Sequence, residues 1–160
     1  MSDEMHPSQE MDAWVPHRGA MSLLATVERC DAESVVARVR VPSQGLFATP
    51  QGMPAWVGIE YMAQAVAAWS GALAREVGGS PRIGYLLGCR RYEAAVPVFE
   101  AGAELVVHAQ CELTAENGLG MFDCRIELDG RVLANGRLSV FEPPRDSGVG
   151  ASQSAPGEER

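Results

Sequence analysis

Lysine is absent, and all thirteen basic residues are arginine. We read this as coding bias and give it no functional weight. Positive charge is scarce altogether: the net charge of −8 argues against nucleic acid and anionic membrane as general partners. No uninterrupted apolar run is long enough to cross a bilayer, because Glu60 and Gln64 break the longest one. The start of the chain is acidic and polar and lacks the basic and apolar parts of a secretory signal, which points to the cytoplasm. The four cysteines, Cys30, Cys89, Cys111 and Cys124, are widely scattered, and no two have metal-ligand spacing. They read as small core fillers in a reducing compartment, and neither a metal nor any other cofactor is expected. There is no internal repeat.

Charge is missing above all from the stretch between Arg40 and Arg75, where Glu60 is the only charged residue. It sits in the most apolar segment of the chain, Met53 to Ala74. A lone carboxylate there costs several kcal/mol unless it is paired, protonated or used. That makes Glu60 the first candidate for chemistry.

The length of 160 residues suggests one domain. Composition sets aside residues 1–13 as a flexible N-terminal segment and 145–160 as a disordered tail, which leaves a domain over 14–144. Leu23–Cys30 and Ser34–Val41 read as a hairpin around Asp31-Ala32-Glu33. Pro42–Gly52 is a loop. A helix runs from about Ala55 to Val77, with Pro54 at its entry and Gly78-Gly79 at its exit. As far as Ala74 it is apolar nearly all round, so it should be buried rather than amphipathic. Four strands follow as a meander: Ile83–Tyr92, Ala103–Leu113, Met121–Leu128 and Arg131–Phe141, with Asp129-Gly130 as a hairpin turn. The expected class is α+β: a long central helix wrapped by a curved antiparallel sheet of five to six strands, with help from a second subunit in covering the helix.

These elements carry recognisable strings. They are Pro16-His17-Arg18 with Met21-Ser22-Leu23-Leu24, Gly45-Leu46-Phe47, Met53-Pro54-Ala55, Glu60-Tyr61-Met62-Ala63-Gln64-Ala65, and Tyr85-Leu86-Leu87-Gly88. Together they resemble the hot-dog fold 3-hydroxyacyl-acyl-carrier-protein dehydratases over roughly residues 15–142. The string Ala-Trp-Val-Gly-Ile-Glu-Tyr-Met-Ala-Gln is most similar to dehydratase-like proteins of aryl-polyene and related type II polyketide clusters. The resemblance implies a thioester on an acyl carrier protein, or on CoA, as substrate. It also implies a homodimer, or a heterodimer with another hot-dog chain. One departure stands out: the family's catalytic His would fall at Leu46.

Dehydration of a 3-hydroxyacyl thioester needs a base for the α proton, an acid for the departing hydroxyl, and amide donors for the enolate oxygen. Glu60 fits the acid role; its bland alternative is a structural carboxyl. Gln64, one turn on, is either a positioning residue or a buried polar contact. The helix start at Pro54, Ala55 and Trp56 can present amides to a thioester carbonyl. Leu46 and Phe47 are candidates for the acyl path, and Gly88 for the room it leaves. His17 is the one histidine placed to stand in for the missing base, but structural packing is the stronger reading. Arg90 and Arg91 could meet an acidic carrier. Three functions compete: a dehydratase; a non-catalytic or half-site subunit of a heteromeric dehydratase; and a thioesterase running on the helix carboxylate alone.

Overall fold

The computed structural model describes residues 23–79 and 84–143. The terminal segments set aside above, and with them His6, His17, Arg18 and Arg82, lie outside this range. The described residues form eight strands: β1 (Thr26–Cys30), β2 (Ser34–Arg40), β3 (Gly52–Pro54), β4 (Tyr85–Ala94), β5 (Val98–Glu100), β6 (Glu104–Thr114), β7 (Leu119–Leu128) and β8 (Arg131–Phe141). Between β3 and β4 a single 3-10 turn, Ala55–Val57, leads into the helix α1, Gly58–Glu76.

Local chemistry fixes the turns. The Asp31 carboxylate accepts hydrogen bonds from the amides of Glu33 and Ser34, both at 2.9 Å, and so closes the β1–β2 hairpin. Those amides hold the exposed Asp31 carboxyl below its usual range. At the β7–β8 turn Asp129 and Gly130 both have positive φ, 50° and 79°. That is the two-residue turn whose twist matches the flanking strands. Helix α1 ends where Gly78 takes φ +77°, with the amides of Gly78 and Gly79 returning to the carbonyls of Arg75 and Ala74.

Six strands form one antiparallel sheet in the order β1-β2-β6-β7-β8-β4. The meander therefore holds only for β6, β7 and β8; the expected fourth member, β4, pairs instead with β8 at the far edge. The cause is a second, two-stranded sheet that periodicity could not reveal. Strands β3 and β5 pair through Gly52↔Glu100, Met53↔Phe99 and Pro54↔Val98. That pairing draws the segment after β4 across to the start of the helix, so β6 begins on the other side. This is the hot-dog arrangement that the motifs implied.

Alternation sets which side of the sheet meets α1. Ala37, Val39, Leu105, Val107, Ala109, Phe122, Cys124, Ile126 and Leu138 are buried in one cluster with Tyr61, Met62, Ala65 and Trp69 of the helix. Each fully buried large side chain contributes about 1.5–3 kcal/mol. Trp69 stacks edge-on against Phe122 at 5.3 Å and donates its indole N–H to the Asp31 carbonyl, which ties the helix to the first hairpin. Cys124 is buried and the other three thiols are half-buried. Burial pushes all four thiols up, which leaves them poor nucleophiles. Leu113 departs from the alternation: a bulge after Cys111 turns it out to solvent.

Tyr61 is wholly buried, yet its hydroxyl has no hydrogen-bond partner among the described residues. Burial pushes its phenol up. The lone hydroxyl contributes nothing to offset its desolvation, so Tyr61→Phe should leave stability unchanged or raise it by up to ~1 kcal/mol. Urea unfolding reads this directly; a clear loss of stability would show that the hydroxyl is needed.

The helix is not buried on every side, contrary to its apolar composition. Ile59, Glu60, Ala63, Ala67, Ser70 and Ala74 are only half-buried. They recur at spacings of three and four and form one stripe along α1.

Candidate functional site

Glu60 lies in the first turn of α1. Its neighbour Gln64 is fully buried. The Gln64 amide nitrogen donates to Glu60 Oε1 at 3.1 Å, and Gln64 Oε1 accepts the amide N–H of Leu23 at 2.8 Å. Gln64 is therefore a satisfied buried polar group, bonded to one oxygen of Glu60 and to the entry of the first strand.

The stripe of α1 that the sheet does not cover forms one wall of a cavity of about 280 Å³. Glu60, Ala63, Ala67 and Ser70 lie along this wall. Trp69, Phe122, Val140 and Leu86 supply apolar surface, and the β6–β7 turn around Gly118 and the end of β8 at Glu142 complete the lining. The volume is just below the ~300–1,000 Å³ of small-molecule sites. Small side chains at 63 and 67 make the room.

The other residues singled out from sequence lie apart from this cavity. Leu46 and Phe47 belong to a surface loop and are exposed, at 44% and 42%. Phe47 has φ +63°, an uncommon conformation for a bulky side chain, and it turns its ring against Trp56 at a centroid distance of 5.2 Å. Trp56 is itself 58% exposed, so the three form one apolar surface patch beside the helix start. Pro54 caps the 3-10 turn. The Ala55 amide donates to the Pro97 carbonyl at 3.0 Å, so it is not available to a substrate oxygen. The Ala55 carbonyl accepts the Tyr92 hydroxyl. The amides of Trp56 and Val57 precede the first carbonyl-bonded residue of the turn and remain the candidates for that role. Gly88 lies on the edge strand β4, and a side-chain carbon added there would meet nothing within 4 Å. Trp69 is in the cavity wall, whereas Met53 and Met62 are core.

Two cavity residues escaped the sequence reading: Ser70 and Glu142, whose side chains hydrogen-bond to each other. Ser70 carried a faint signal, as a polar interruption on the Glu60 stripe. Glu142 carried none. His108 is half-buried and sits 3.2 Å from Glu127 and 3.3 Å from Arg125. Burial, and then Arg125, lower its pKa. Among the described residues no group of three or more His, Cys, Asp or Glu side chains is placed to hold a metal ion, and no helix is long and apolar enough to cross a membrane.

A family model described as ApeP dehydratase, of the ApeP-like family, matches residues 9–150. A chain of the dehydratase heterocomplex ApeI:P from Xenorhabdus doucetiae is 33% identical, with a TM-score of 0.76 over 84% of this chain and 91% of that one. A thioesterase protein from Streptococcus pneumoniae, solved with coenzyme A, is 13% identical, with a TM-score of 0.57 over 72% of this chain and 83% of that one. The Escherichia coli PaaI protein is 18% identical, with a TM-score of 0.53 over 69% of this chain and 73% of that one. These last two likenesses are of fold alone. No curated protein matches the chain.

Proposed function

Because this chain belongs to the ApeP-like dehydratase family, we propose that it dehydrates a 3-hydroxyacyl thioester of aryl-polyene-type synthesis, with Glu60 as the acid and a second hot-dog chain completing the site. The observation that carries this reading is Glu60 itself. It is the carboxylate in the first turn of the central helix, held by a buried glutamine and set in the wall of a largely apolar cavity.

In the step we propose, a base takes the proton from Cα and the electron pair forms the Cα–Cβ double bond. The hydroxyl leaves Cβ as water, taking its proton from Glu60. The thioester oxygen gains charge in passing, and the Trp56 and Val57 amides at the helix start are suited to receive it. The base is assigned to the partner chain, because Leu46 occupies the place of the family's histidine. The likeness to a chain of a dehydratase heterocomplex favours a heteromeric pair over a homodimer.

The surface we assign to that partner is the outer edge of β4, the end of the sheet among the described residues. Its start exposes Tyr85, Leu86 and Leu87, the last at 60%. A ten-residue strand that no described residue pairs on its outer edge, with apolar side chains at its start, invites strand pairing with another chain. Leu87→Asp should therefore cost the single chain little and weaken the pair by about tenfold or more, read by sedimentation of the mixed chains. Unchanged association would remove β4 from the interface.

Arg90 and Arg91, both exposed on the same strand, suit an acidic acyl carrier. A cytoplasmic setting belongs to the same proposal and rests on four free thiols. The test is incubation of the paired chains with a 3-hydroxyacyl carrier thioester, followed by intact mass. Loss of one water supports the proposal. Release of free acid instead would favour thioester hydrolysis.

A further inference from the structure

The cavity has two polar ends. Glu60 stands at one. Ser70 and Glu142 stand at the other, ten residues further along α1, which is about 15 Å of helix. Between them the wall is Ala63 and Ala67, faced by Phe122 and Val140. A slot of this shape fits an acyl chain whose thioester end lies at Glu60.

Three elements are fastened together at the far end. The Ser70 hydroxyl donates to the Glu142 carboxylate. The Glu142 amide donates to the Gly118 carbonyl at 2.9 Å, which joins the end of β8 to the β6–β7 turn. Gly118 has φ +93°, and a side-chain carbon there would fall 2.1 Å from the Glu142 carbonyl oxygen, so the turn lies directly against the strand end. An apolar chain tip driven into this wall would strip solvent from a carboxylate without offering it a hydrogen bond, which is unfavourable.

We propose that Ser70 and Glu142 are specificity-determining residues: together they end the acyl slot and set the longest chain that the enzyme accepts. The inference rests on the dehydratase reading for its choice of substrate and on the cavity for its geometry. It assigns Ser70 and Glu142 no part in bond making.

The test is a ladder of saturated, straight-chain 3-hydroxyacyl carrier thioesters of increasing length, turned over by the paired chains. Wild type should lose kcat/KM sharply beyond one length. Glu142→Ala removes the wall and should move that limit to longer chains; Ser70→Leu fills the slot and should move it to shorter ones. The ratio of kcat/KM for the two lengths that straddle the wild-type limit should change by about tenfold, in opposite directions for the two variants. A ratio unchanged in both overturns the proposal. The same ladder as unreactive 3-hydroxyacyl pantetheine thioethers, read by thermal shift, needs no turnover. A binding limit that ignores both variants overturns the length assignment even if dehydration is confirmed. A limit that moves with them upholds it even if the chemistry proves different.

Discussion

Glu60→Gln lowers dehydration by the paired chains by roughly 10²–10⁴-fold while leaving the fold intact. The substitution keeps shape and keeps an oxygen that can accept from Gln64, now at 3.1 Å from Glu60 Oε1. Only the ability to give up a proton is lost. Circular dichroism and melting temperature should therefore match wild type closely, and the loss should fall on kcat rather than KM. A variant with the full rate would return Glu60 to a structural role. Gln64→Leu makes a useful contrast. It should cost stability as well as rate, because the Leu23 amide loses its acceptor in a part-buried place.

Gly52→Ala destabilises the protein by about 3–5 kcal/mol, the largest single-residue effect expected here. Gly52 has φ +135°, a conformation that side chains rarely adopt. The added carbon would also fall 1.9 Å from the Phe99 carbonyl and 2.7 Å from the Ala101 nitrogen, both backbone atoms that cannot rotate away. Relief requires breaking the β3–β5 pair, which seats Pro54 at the mouth of the helix and gives the Ala55 amide its acceptor at Pro97. The start of α1 would then lose its anchor, and the Glu60 turn with it. Urea denaturation gives the magnitude. A cost under ~1 kcal/mol would mean that the second sheet yields easily and does not position the helix.

Much of the architecture could be read from the chain because it is local. Alternation in β2, β6 and β7 names the inward residues, the Asp129-Gly130 pair dictates its turn, and Pro54 and Gly78 bracket the helix to within a few residues. Glu60 was legible for the same reason: it is one charge in thirty-four residues of neutral chain. What stayed hidden is non-local. Strands β3 and β5 are three residues each, too short to display a period. Without their pairing, nothing in the sequence moves β4 to the outer edge beside β8. The cavity's far end joins Ser70 to Glu142 across seventy-two positions. Leu46, Phe47 and Trp56 gather as expected of neighbours around the helix start, but on the outside of the chain, away from the hollow beside Glu60. Their apolar character described a surface awaiting a partner as readily as a lining.

The most direct measurement is a crystal structure of the paired chains with an unreactive 3-hydroxyacyl pantetheine thioether. The account predicts the substrate hydroxyl about 2.6–3.2 Å from a Glu60 carboxylate oxygen, with the acyl tail laid along Ala63 and Ala67 toward Ser70. A ligand whose hydroxyl faces another acid, with Glu60 turned away from it, would contradict the account.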